Sequence, residues 1–371
     1  MSIYIFTLVV LLIFSFLELR TSLTSVQHHS MLVFVYALLV FQVGFRWETG
    51  TDWETYLIHF DEIRSIKDVY FSITGFEQGY SFLVLIVKYI WNSYTAFLVI
   101  HALLFYYFIF SAFKKFSPYV FISLLILYAT SIGFMGSNRQ LLALGICLYA
   151  LRYVANKNAI KFFLLVGLAF LFHASAILFL IYYFLNREIN QYLVLSVLLV
   201  SFIIGKTNLP LAAFSFVGEN VGSMGSSKVL YYSERYQNES DLYSQSILGL
   251  IKRLLFLGLF MYNYKFLKEK ISYYKLIFNG YIIGLTIYFL FSSSILVLVN
   301  RGSLYFTSME ALLLSSQFLL LKNKHYQVHF LIMLFVFALF LFFQSISGYD
   351  DLFIPYKGIF INSNFERYRL S

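Results

Sequence analysis

Residues 93–113 read SYTAFLVIHALLFYYFIFSAF, a run with no charged side chain that ends against Lys114 and Lys115. A helix of that length rises about 30 Å, the thickness of the hydrocarbon core of a bilayer. The lysine pair is the cationic flank that short cytoplasmic connections carry. Runs of the same kind recur along the chain: Ser2–Leu19, Met31–Phe45, Tyr119–Gly136, Gln140–Ala155, Lys161–Leu185, Tyr192–Gly205, Ser246–Tyr264, Leu276–Val299, Gly302–Leu321 and Val328–Ser345. The 371 residues are 60% hydrophobic and 12% charged, where soluble chains hold roughly a quarter charged residues. These runs predict an all-α integral membrane protein, a polytopic bundle of about 10–12 transmembrane helices forming a single domain over residues 1–371. A signal peptide does not explain the first run, because equivalents follow it to the end of the chain.

The net charge of +9 does not point to nucleic acid, because the positive residues sit in short connections between spans, as orientation signals do. Bilayer lipids are the expected surroundings. The single cysteine, Cys147, lies in an apolar run and offers neither a disulfide nor a thiolate metal site. His28, His29, His59, His325 and His329 lie in connections or near their ends and show no metal spacing. Walker, GxGxxG, GxSxG and HExxH patterns are absent from the sequence, so no metal and no cofactor is expected.

Lys114–Lys115, then Arg152, Lys157 and Lys161, then Lys265, Lys268, Lys270 and Lys275, and finally Lys322 and Lys324 mark the cytoplasmic connections. Arg46 to Glu77 holds three basic and seven acidic residues, a net of −4, and belongs outside. Asn208–Gln245 holds two basic and four acidic residues, a net of −2, around GENVGSMGSSK. The expected plan is therefore an outer loop over 46–92, a second outer loop over 207–245 and a tail over 347–371 at the outer face. Parity then constrains the shorter runs. Gly79–Trp91 is too short to span and reads as an outer interfacial helix. Lys161–Leu185 must cross an even number of times, which predicts a broken or re-entrant helix pair with its break near His173. Irregular backbone at membrane depth is tolerated only where it is buried or lines a wet cavity.

On this plan several cations fall on the disfavoured face: Arg46, Arg139 in GSNRQ, Lys252 and Arg253 within their span, and Arg301 in VNRG. Each one alone is explained by snorkelling to lipid phosphate. Together they suggest a shared anionic ligand, because the guanidinium fork suits phosphate and diphosphate. Carboxylates gather on the same face. Glu48, Asp52 and Glu54 lie in the run from Arg46 to Tyr56 beside Trp47 and Trp53, and Glu77 follows in FEQGY. Asp52 is a candidate general base toward a hydroxyl, with Glu77 a weaker one. His173, in the apolar segment LFHASA, is the candidate histidine.

The run FRWETGTDWETY resembles the R-x-x-x-GTDY-x-x-Y pattern of the EpsG family, which belongs with the Wzy-type bacterial polysaccharide polymerases. FEQGYSFL, NRQLLALGICLYALRYV, KFFLLVGLAFLFHASAIL and the ending FIPYKG are similar to that family in order and spacing. Trp53 stands where the family usually has Tyr. The resemblance implies a polymerase of lipid-linked sugar repeats for O-antigen, capsule or exopolysaccharide at the outer face of a bacterial inner membrane. Its substrate would be an oligosaccharide linked to undecaprenyl pyrophosphate, and a Wzz-type chain-length regulator would be its partner. The family positions fall on Arg46, Gly50, Thr51, Asp52 and Tyr56, then on Arg139, Gln140, His173 and Ser175. Substrate contacts are accordingly expected from Arg46, Glu48, Tyr56, Glu77, Arg139, Gln140, Arg253 and Arg301, and catalysis from Asp52 and His173. A flippase or transporter of the same lipid, or an O-antigen ligase or acyltransferase, fits the hydropathy equally well.

Overall fold

A computed structural model describes residues 1–220, 247–295 and 298–363. Most of the expected second outer loop, and the end of the tail, lie outside the described residues. Within them the chain is helical throughout, and the extended backbone is limited to isolated bridges at Arg46–Gly358 and Gly358–Ile361. It is a polytopic helical membrane protein. The helices α1 (Ser2–Arg20), α2 (Ser25–Gly44), α3 (Trp53–Glu62), α4 (Ile66–Phe71), α5 (Gln78–Ile90), α6 (Tyr94–Phe116), α7 (Val120–Ser131), α8 (Asn138–Ala155) and α9 (Ala159–Phe170) come first. An extended 3-10 stretch, Ala174–Phe184, leads to α10 (Gln191–Gly205) and α11 (Leu209–Asn220). Then follow α12 (Ile247–Tyr262), α13 (Tyr264–Lys270), α14 (Tyr274–Phe291), α15 (Leu304–Thr307), α16 (Met309–Gln317), α17 (Lys324–Ile346) and α18 (Asp350–Phe353).

Among the described residues five helices are long and apolar enough to cross a bilayer alone: α1, α2, α6, α14 and α17. The pairs α10–α11 and α12–α13 bend by 82° and 61° at short breaks, which brings the number to seven if each pair is one span. Other expected runs form helices below that length or hydropathy, and two of them are not single helices. Tyr119–Gly136 contains the 12-residue α7 and a 3-10 turn, and Lys161–Leu185 begins inside the 12-residue α9 and runs on into the 3-10 stretch. Twelve α-helical residues rise only about 18 Å. The expected break near His173 is present, because α9 stops at Phe170 and the new helix begins at Ala174.

The described residues form two compact units, Met1–Ile177 with Leu314–Ser371, and Leu178–Leu313. In the first, α2, α6, α8 and α9 lie side by side in that order, and α1, α7 and α17 pack together. Polar groups fasten these helices. The Glu18 carboxylate at the end of α1 accepts from the Val120 and Phe121 N–H groups at 3.0 and 3.1 Å. It thereby caps the positive end of α7 from another helix. Thr7 and Tyr128 meet Gln42 in the core, joining α1 and α7 to α2. In hydrocarbon such cross-helix hydrogen bonds replace the hydrophobic drive that lipid cannot supply. In the second unit α14 is the centre, against α10, α13 and α15. There Asn279 donates to the Leu185 and Arg187 carbonyls at 2.6 and 2.7 Å.

Candidate functional site

Five distant segments of the first unit meet at the loop after α2. Gly50 has φ +108°, a left-handed conformation that favours glycine, and its missing Cβ would sit 2.9 Å from Gly136 Cα. Gly136 is equally bare: a Cβ there would run into the backbone of Thr51 and Asp52. The GTD turn and the turn before α8 therefore touch main chain to main chain. From the other side the C-terminal FIPYKG segment closes on the loop. Trp47 N donates to Lys357 O at 2.9 Å, Thr49 Oγ donates to Lys357 O at 3.1 Å, and Ile359 N donates to Phe45 O at 3.0 Å. Gly50 N donates to Leu352 O at 3.1 Å. Glu48 pairs with Lys357 Nζ at 3.3 Å.

This packing presents Arg139 at the first turn of α8. Its Nη1 pairs with Glu77 Oε2, its Nε donates to Tyr56 OH at 3.3 Å, and its guanidinium lies 3.7 Å over the Phe76 ring. The Arg139 and Glu77 side chains are 19% and 23% exposed, so a solute can reach the pair. The second Glu77 oxygen accepts from Ala174 N at 3.1 Å, and Leu171 O accepts from Gly79 N at 2.9 Å. One carboxylate thus joins the arginine to the helix break that carries His173. His173 Nδ1 accepts from Ser175 N at 3.3 Å and faces Ser175 Oγ at 2.6 Å. Because a backbone N–H only donates, Nδ1 is the acceptor, and the proton of the neutral ring belongs on Nε2. Asp52 stands at the N-cap position of α3, half-buried and close enough to Tyr56 to act on its phenol electrostatically. Burial pushes the Tyr56 phenol up, with Arg139 opposing, so it stays protonated and neutral.

Other expected contacts are placed differently. Arg46 is completely buried, with Nη1 on Val43 O at 2.8 Å and Nη2 on Asn138 Oδ1 at 2.6 Å. It supports the turn that carries Arg139. Gln140 is 2% exposed and Tyr56 3% exposed, so both lie beneath the surface where a substrate contact was expected. Tyr56 is covered by the Phe76 and Tyr80 rings. Arg253 and Arg301 belong to the second unit. There Arg253 donates to Gly249 O at 2.9 Å and lies 3.6 Å over Tyr288, and Arg301 is exposed in the short π-helix Leu298–Gly302. Lys252 pairs with Glu310 at 3.2 Å.

Two histidines escaped the sequence reading. His101 lies within the α6 run and is buried, its Nε2 against Asn138 O at 2.8 Å. His59 was set aside as a connection residue, yet it is fully buried beneath Phe76. The available signal was its spacing from Tyr56 and Phe60, which puts all three on one face of α3. No group of three or more His, Cys, Asp or Glu side chains forms a metal-binding cluster among the described residues.

Neither the curated proteins nor the solved structures contain a match to the chain. A family-level comparison matches residues 29–358, which include the GTD loop, Glu77, Arg139, His173 and the FIPYKG segment. The chain belongs to the EpsG family, a Wzy-type polymerase-like family.

Proposed function

We propose that this protein joins lipid-linked oligosaccharide repeats by glycosyl transfer from undecaprenyl pyrophosphate at the outer face of a bacterial inner membrane. Family membership supports a polysaccharide polymerase in general. The observation that carries the finer reading is Arg139: a reachable guanidinium on an aromatic ring, paired with a carboxylate that an anionic ligand would displace. In this reading Arg139 holds the diphosphate and stabilises the charge that develops on it as the sugar–oxygen bond breaks. Asp52 takes the proton from the acceptor hydroxyl, which attacks the anomeric carbon with inversion. His173, with its proton on Nε2, serves as a hydrogen-bond donor to the substrate. The lipid diphosphate is already an activated donor, so no nucleotide is consumed. Arg253 and Arg301 remain separate anion-contact candidates on the second unit.

The test is complementation of a deletion strain with Asp52→Asn and Arg139→Ala proteins of verified membrane abundance. The expected result is single repeats in place of a long-chain ladder on a gel. Long chains from both variants would refute the assignment. In reconstituted vesicles, translocation without polymer would favour a flippase, and transfer to a different acceptor would favour a ligase.

A further inference from the structure

We infer that His59 is a positioning residue for the Arg139 site: it clamps, as a neutral ring, the loop that carries Phe76 and Glu77. This rests on the reading of Arg139 as the diphosphate contact. The imidazole is fully buried and both nitrogens are engaged, Nδ1 with Thr74 Oγ at 2.5 Å and Nε2 with Ser81 Oγ at 3.1 Å. Thr74 and Ser81 bracket the residues that matter, Phe76 and Glu77. Thr74 Oγ in turn donates to Glu62 Oε2 at 3.2 Å, so the clamp is anchored at the far end of α3. Between its two hydrogen bonds the ring packs on Phe76, with centroids 4.5 Å apart and planes at 37°. Arg139 lies against the same Phe76 at 3.7 Å. Imidazole, phenyl and guanidinium therefore form one group. A shift of the imidazole moves the aromatic support of the cation and the carboxylate paired with it.

The charge state of His59 matters for the same geometric reason. The groups packed around it are Arg139 from α8, Glu62 through Thr74, Tyr56 on its own helix, and Glu77, Tyr80 and Ser81 from the following segment. Among the described residues Arg139 is the formal cation that acts on it, and protonating His59 adds a second against the same Phe76. Burial, followed by the charge of Arg139, lowers the His59 pKa to about 4. The ring therefore stays neutral across the range in which a surface histidine titrates.

The experiment uses the full-length protein in lipid nanodiscs with undecaprenyl pyrophosphate as probe, and binding is read by intrinsic tryptophan fluorescence. His59→Gln keeps a neutral donor and acceptor and should bind within about threefold of wild type. His59→Ala and the milder Thr74→Val should weaken binding by about tenfold or more and by about threefold to fivefold, respectively. Between pH 6 and pH 4 wild-type affinity should fall more steeply than that of His59→Gln, because the carboxylates and the probe titrate equally in both. If His59→Ala and Thr74→Val bind like wild type while Arg139→Ala does not, the inference is overturned and the reading of the site stands. If Arg139→Ala also binds like wild type, the reading of the site is what fails. Should His59→Ala not fold, Thr74→Val and the pair of pH profiles decide the matter, and superimposable profiles with unchanged Thr74→Val binding would overturn the inference.

Discussion

The first turn of α8 and the first half of α12 both place cations among apolar residues, and they accommodate them differently. At α8 a single carboxylate, Glu77, comes from 62 positions earlier, holds Arg139, and also holds Ala174 at the helix break. At α12 each cation has its own partners: Arg253 uses the Gly249 carbonyl of its own helix and the Tyr288 ring, and Lys252 uses Glu310. The α8 arrangement is shared, so perturbing one member disturbs three chain segments. The α12 arrangement is partitioned, so each contact can fail alone. Cations that look alike in the sequence are thus distinguished by how many segments depend on them.

The sharpest way to break this comparison is a pair of substitutions. Arg139→Ala should reduce polymer yield by about a hundredfold or more, the scale of losing a charge-stabilising group. Arg139→Lys should recover little, because an ammonium lacks the fork. Arg253→Ala should cost less than about tenfold; equal losses on a polymer gel would mean that the distinction is false. Packing provides the next contrast. Gly136→Ala drives a methyl into the Thr51 backbone and should destabilise by about 1–3 kcal/mol, read as a lowered thermal midpoint in detergent.

Acid titration contrasts a buried and an exposed group. His59, neutral when folded and free to take a proton near pH 6.5 when unfolded, makes the unfolded chain bind more protons between about pH 6.5 and 4. Stability is therefore lost as pH falls through that window, on the order of 2 kcal/mol, and His59→Gln should remove this component from a pH series of melting curves. The hydrogen bond and charge of Lys268 hold the Glu188 carboxyl below its usual range, but it is exposed and screened, so Glu188→Gln should leave the same series unchanged. The smallest effect is expected at Gly258 of α12, where an added Cβ meets nothing. Gly258→Ala should be neutral or stabilising by up to about 1 kcal/mol.

Much of the α8 site was legible because polar residues stand out in an apolar chain. Arg139 and His173 interrupt or border apolar runs, Asp52 and Glu77 stand in a polar connection between such runs, and the irregularity at His173 followed from counting crossings. Burial was not legible. Arg46 resembles Arg139 in the sequence, but the fold encloses its guanidinium against Val43 O and Asn138 Oδ1 and leaves that of Arg139 partly exposed. His59 was missed because its imidazole is covered by α5 and Phe76, which local periodicity along α3 does not report. The lengths of individual helices were not legible for a related reason. Hydropathy detects apolar runs such as Tyr119–Gly136, while helix length depends on where the backbone breaks.

The strap from Phe353 to Gly358 has a consequence for how the protein is made. Thr49 accepts from Lys357 N, 308 positions later in the chain. The loop beside the Arg139 turn therefore acquires this support only after α17 and the segment beyond it have left the ribosome. Every shorter nascent chain has already presented its GTD sequence to the membrane without that support. The loop is thus completed late in synthesis, by a strap that follows α17.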